Sequence, residues 1–148
     1  MRLIPAIALA CTLPLPALAV TPETDAFGQC LVYQSNGEDR LLLARWMTLA
    51  FAAHPAVQDA VTRDMTKIEE TNQQVAALFM ALLTERCVGE AKAAVAAEGD
   101  ASIAMQKAFE MLGAVASQEA MMAPEVSNTV NGFIGYVNEA ALMSALSP

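Results

Sequence analysis

The sequence predicts a single all-α domain, a bundle of six or seven helices stapled by one disulfide. Three observations lead there. Apolar residues make up 55% of the chain but aromatics only 5%. The core must therefore come mainly from Ala, Leu, Val and Met, a helix-forming alphabet with few of the β-branched and aromatic runs that favour strands. Apolar positions recur at three- and four-residue spacing from Phe27 to Val137, the period of a helix with one buried face. Finally, Cys30 and Cys87 each fall on such a stripe.

Residues 1–19 read as a cleaved leader and 20–148 as the helical domain. Arg2 supplies a positive n-region, Leu3 to Leu18 is apolar, and Ala17-Leu18-Ala19 has the small-x-small form of a cleavage site. Pro5, Pro14 and Pro16 argue against a stable spanning helix, because each fixes φ and lacks a backbone donor. Lipidation at Cys11 is the alternative, but Ala8-Leu9-Ala10-Cys11 lacks the Leu three residues before the cysteine and leaves almost no h-region. The expected address is the periplasm or the outside of the cell, with Val20 as first residue. Loss of Arg2 leaves seven of the eight basic residues against sixteen acidic ones, a net charge of −9. Such a surface repels nucleic acid and anionic lipid. Beyond the leader no apolar run is long enough to span a membrane.

The elements follow in order. Thr21-Pro22-Glu23 is a helix start, with a capping Thr, Pro at the first helical position and an acid in the first turn. This helix is expected to reach Gln34 and to bury Phe27, Cys30 and Leu31, before Ser35-Asn36-Gly37 breaks it. A second helix starts near Glu38 and Asp39, whose carboxylates suit a helix N-terminus. Its expected inner face is Leu42, Trp46, Leu49 and Ala53, with Leu43 and Ala50 beside it, and His54-Pro55 ends it. Pro55 then opens a short helix with Val57 and Val61 inward.

Thr66-Lys67-Ile68-Glu69 has the form of a capping box. The long helix behind it is expected to run to about Cys87 on a stripe of Ile68, Val75, Phe79, Leu82 and Leu83. Gly89 marks a bend, and the Ala-rich Glu90–Glu98 stretch is a helix stopped by Gly99. Asp100 caps the next helix, with Met105, Ala108, Phe109, Leu112 and Val115 inward and Gly113 as a place for close helix approach. The last helix starts at Pro124 and carries Val126, Val130, Phe133 and Val137 inward to about Leu146, with Asn131-Gly132 as a point of interruption. Pro55, Val57, Val61 and Ile68 recur 69 residues on as Pro124, Val126, Val130 and Val137, a faint echo that either duplication or shared helical spacing explains. Trp46 and Phe79 are the expected large core anchors.

Few residues offer chemistry. In an oxidising compartment Cys30 and Cys87 are expected to pair. The bridge would close a loop of about 58 residues, worth about 4 kcal/mol in the chain-entropy model. The alternatives are two buried thiols or a redox site, the latter without a Cys-x-x-Cys or a base to lower a thiol pKa. His54 is the only imidazole and is expected to bond a last-turn carbonyl at a helix end rather than ligate a metal. Asp39 and Arg40 suit either a buried Asp–Arg pair joining helices or a small-anion site, and the neighbouring carboxylates favour the structural role. Glu69 and Glu70 are adjacent and so do not share a helix face. Met105, Met111, Met121 and Met122 read as pliable core filler rather than copper ligands. With no Gly-x-Ser-x-Gly, no activated thiol and no Gly-rich phosphate loop, the chain is not expected to be an enzyme or to hold a cofactor or metal.

Cys30-Leu31, Gly37-Glu38-Asp39-Arg40, Leu43-Ala44-Arg45-Trp46 and His54-Pro55 together resemble a pattern found in small exported helical proteins of Gram-negative bacteria. The resemblance covers about Cys30 to Pro55. It implies a helical fold and export, and it implies no activity.

Size, compartment and acidity suit an interaction module of the cell envelope with a protein partner, as an immunity or inhibitor protein would be, acting as a monomer or homodimer. The alternative is a carrier that holds a small apolar ligand between helices. The first predicts a contiguous exposed patch of acidic character and no internal cavity, the second a closed apolar cavity of a few hundred Å³, roughly the lower end of the usual pocket range.

Overall fold

The computed structural model describes residues 20–57 and 59–147; the leader, Cys11 and the cleavage site at Ala19 lie outside them. Among the described residues there are seven α-helices and no strand. We number them α1 (Pro22–Gln34), α2 (Gly37–Phe51), α3 (Met65–Ala81), α4 (Val88–Glu98), α5 (Ala101–Met121), α6 (Pro124–Asn131) and α7 (Glu139–Leu146).

The punctuation in the sequence sets most of the boundaries. Thr21 caps α1 by accepting the Thr24 N–H, with Pro22 at its first position. Asn36 and Asp39 form a reciprocal capping box at the start of α2. Asp100 Oδ1 accepts from the N–H groups of Ser102 and Ile103 to start α5. Gly99 ends α4 at φ +71°, a left-handed conformation that glycine takes without a Cβ clash.

Two boundaries differ from expectation. Asp64, not Thr66, caps α3, accepting from the N–H groups of Thr66 and Lys67. The helix therefore starts earlier, and Glu69 accepts from Gln73 instead of closing a capping box. The chain turns at Cys87 (φ −125°, ψ 25°) rather than at Gly89, after α3 has passed through one wider π turn, Leu82–Arg86.

Helices α1 to α5 make one bundle. α5 is its axis, packing against α1, α2 and α4, while α1 also packs on α4 and α2 on α3. The innermost face of α5 is Ala104, Ala108, Leu112 and Ala116, all at most 1% exposed. Three of the four are alanines, so the neighbouring backbones come close. α1 meets this face with Phe27 and Leu31, each worth about 1.5–3 kcal/mol of burial. The close glycine approach is at Gly28, not at Gly113: a Cβ on Gly28 would stand 2.9 Å from Met111 Sδ, whereas one on Gly113 would meet nothing. The aromatics form a relay, with Phe109 edge-on to Phe27 (centroids 6.5 Å) and tilted against Phe79 (4.3 Å). Phe27 is the largest fully buried side chain, while Trp46 and Phe79 flank the core only partly buried.

The inner face of α2 is turned from the expected one. Leu43 and Ala44 are buried, Leu42, Trp46 and Leu49 are partly so, and Ala53 is exposed past the helix end. After α2, Pro55–Val57 is a single 3-10 turn, and Val57 and Val61 face solvent rather than the core. The two halves of the sequence echo thus differ in structure, since Pro124 begins a true α-helix.

The C-terminal stretch departs most. The expected continuous helix is α6, then a 3-10 segment (Gly132–Tyr136), then α7, with the interruption at Asn131-Gly132. Val126, Val130, Phe133 and Val137 keep their helical spacing but are 36–63% exposed instead of inward. α6 touches only the end of α5 and the 3-10 segment, and α7 packs on no other described element.

Candidate functional site

Cys30 and Cys87 stand at disulfide-bonding distance, with Cα atoms 5.9 Å apart. They tie the α1 stripe to the chain reversal between α3 and α4; Cys87 is fully buried in the core, whereas Cys30, expected to be buried, packs against it only partly covered.

Beside them, Asp39 and Arg40 do not pair with each other. Arg40 reaches from α2 to α5, where Nε and Nη2 each lie 2.8 Å from Glu119 Oε1. Its Nη1 donates to the carbonyl of Ser35, just past the end of α1. The hydrogen bond to Glu119 raises the Arg40 pKa and holds the Glu119 carboxyl below its ordinary value. Asp39 instead caps α2, accepting from the Asn36 N–H at 3.1 Å, and takes Arg86 Nη1 at 3.3 Å. The same Arg86 nitrogen donates to the Gln34 carbonyl at 2.9 Å. Adjacent residues on a helix diverge by about 100°, so Asp39 and Arg40 serve different neighbours. Two guanidiniums thus close the carbonyl end of α1, a stabilising arrangement against the negative end of its dipole.

The most enclosed ion pair was not foreseen. Glu98, at the last position of α4, lies 2.8 Å from Lys107 Nζ, and their side chains are 9% and 12% exposed. The Thr24 hydroxyl donates to Glu98 Oε1 at 2.8 Å, and the Thr21 hydroxyl lies 3.2 Å from the same oxygen. Lys107 above all, then Thr24, depresses the Glu98 carboxyl to about 2. The cluster joins the first turn of α1, the end of α4 and the start of α5. The signal in the sequence is an acid at a helix C-terminus, where the dipole disfavours it unless a cation stands by.

Trp46 donates from Nε1 to Asn72 Oδ1 at 3.0 Å, linking α2 to α3. His54 is exposed beyond α2, and its Nδ1 accepts from the Ala56 N–H at 3.1 Å. It caps the 3-10 turn that follows rather than bonding a last-turn carbonyl. No group of three or more His, Cys, Asp or Glu forms a cation cage among the described residues. No described helix is long and apolar enough to cross a membrane.

A groove of about 390 Å³ runs between α4 and the first turns of α5. Leu83, Val88, Val95 and Met105 line it with small alanines between them, and the exposed Lys92 is its one charged group. It is open along its length rather than enclosed.

No protein-family model, no curated protein and no solved structure matches this chain.

Proposed function

We propose that the protein is an exported interaction module of the cell envelope that binds a protein partner, as an immunity or inhibitor protein does. The observation that carries this reading is the open apolar groove between α4 and α5, set apart from the ion pairs Arg40–Glu119, Arg86–Asp39 and Lys107–Glu98 that hold helices together. A groove walled by aliphatic side chains suits the apolar stripe of a helix laid into it. Glu85 and Glu90, exposed just before and on α4, favour basic residues beside that stripe. A signal sequence at residues 1–19 and a Cys30–Cys87 bridge fit an oxidising compartment.

A photo-crosslinking residue placed at Val88 in the expressed protein tests this. The expected result is one discrete protein adduct that Lys92→Glu changes in yield and that an identical probe at Gln73 does not form. The carrier reading draws support from the groove's volume, which lies at the lower end of the range of about 300–1,000 Å³ for ligand pockets. Native mass spectrometry separates the two: a bound mass of a few hundred daltons, lost on unfolding, overturns the protein-partner reading.

A further inference from the structure

We infer that the segment from Pro124 to Ser147 is an exchange arm, whose α7 seats on the body of a second copy of this chain. The surface involved is separate from the α4–α5 groove.

An eight-residue helix is too short to persist alone in water. α7 has only Glu139 and Ser144 as polar residues, set about 140° apart round the helix, so it has no polar face to turn to solvent. A helix apolar on every side belongs under cover. Among the described residues nothing supplies that cover, because α7 packs on no other described element.

The arm exposes Val126, Val130, Phe133, Ile134, Tyr136, Val137, Leu142, Met143 and Leu146 by 36–93%. On standard residue areas this comes to about 900 Å² of large apolar side chains, against about 800 Å² that each partner buries in a standard interface. The arm thus exposes enough apolar surface for a reciprocal exchange of two arms to reach the size of a stable dimer interface.

The receiving surface lies at the arm's own root. A second groove, of about 230 Å³, runs between the last turns of α2 and α5, lined by Met47, Phe51, Met121 and Val126 among others. None of its lining residues is charged. From Ala120 to Pro148 the chain carries only Glu125 and Glu139. In a protein as acidic as this one, two copies approach most easily through such a face. Because the groove is lined by Met121, at the end of α5, and by Val126, in the first turn of the arm, each arm leaves its body at the mouth of the groove that the other arm enters. That is the arrangement a two-fold axis demands of a self-complementary contact. Leu142 and Leu146, one turn apart on α7, are the side chains to fill the groove against Phe51. The arm has no Lys or Arg, which disfavours an anionic membrane as the occupant.

Sedimentation velocity on the full mature protein over a dilution series tests the exchange. The expected result is a monomer–dimer equilibrium. Leu146→Glu in the arm and Phe51→Glu in the groove should each raise its dissociation constant by about 30-fold or more. Both positions are over 70% exposed, so circular dichroism should find the bundle folded in each variant. Mixing the two variants should restore dimer, since one intact arm then meets one intact groove. A wild-type chain that stays monomeric throughout overturns the inference, as does a mixture no tighter than either variant alone. So does a monomer that floats with phosphatidylcholine vesicles.

Discussion

Leu112 on α5 and Leu146 on α7 are the same residue on helices of the same alphabet, yet one is 1% exposed and the other 71%. The difference lies in what each helix is given to pack against. α5 is flanked by α1, α2 and α4, is capped by Asp100, and is pinned at its two ends by Lys107–Glu98 and Glu119–Arg40. Among the described residues, the segment after Met121 holds no such pins. Its longest helices are eight residues, and its only tertiary contact among the described residues is that of α6 with α5. Helical periodicity is therefore sufficient to make an apolar face and insufficient to cover it.

The largest contrast should come from the bridge. Cys87→Ser with Cys30→Ser is expected to lower bundle stability by about 4 kcal/mol, read as a shift in the urea midpoint, and to leave limited proteolysis of the arm in dilute protein unchanged. Core truncation sharpens the same comparison. Leu112→Ala should cost about 2–5 kcal/mol, whereas Leu142→Ala in dilute, monomeric protein should stay within about 0.5 kcal/mol; equal losses would erase the distinction between the regions. Gly28→Ala should cost about 1–2 kcal/mol, because the added methyl meets Met111 Sδ at 2.9 Å and Cβ at 3.3 Å, while Gly113→Ala, with open space around it, should be neutral or stabilising in thermal melts.

The smallest effect is the pH dependence of the pin between α1, α4 and α5. The Glu98 carboxyl is depressed from an ordinary value of 4.5 to about 2. A depressed acid contributes stability above its unfolded pKa and loses it as pH falls through the folded one. The melting temperature should therefore decline between pH 4.5 and about 2, and Glu98→Gln should flatten part of that decline. An unchanged slope would show that the ion pair does not contribute.

Much of the fold was legible because caps, breakers and the cysteine stripe are local. Thr21-Pro22, Asn36-Gly37, Gly99-Asp100 and Ala123-Pro124 each fall at a helix boundary. The faces were less legible. Leu41-Leu42-Leu43 is apolar at three consecutive positions, so periodicity does not choose among rotations of α2, and packing against α5 turned Leu43 and Ala44 inward. The ionic partners were not legible: Arg40 chose Glu119, 79 residues away, over the adjacent Asp39. That choice depends on where α5 passes, which no local pattern encodes. Likewise the stripe of Val126, Val130 and Phe133 reads like that of Phe27 and Leu31, and what separates them is that α1 packs along α4 and α5 while α6 touches only the end of α5 among the described α-helices.

The most direct test of a self-sufficient bundle with a dependent arm is amide hydrogen exchange, read segment by segment, at protein concentrations below and above the onset of dimerisation. Amides of α1 and α5 should be protected equally at both, while those of α7 should exchange freely in dilute protein and slow at least tenfold, about 1.4 kcal/mol, as dimer forms. Protection of α7 that already matches α5 in the dilute monomer, or that never appears in concentrated protein, would contradict it.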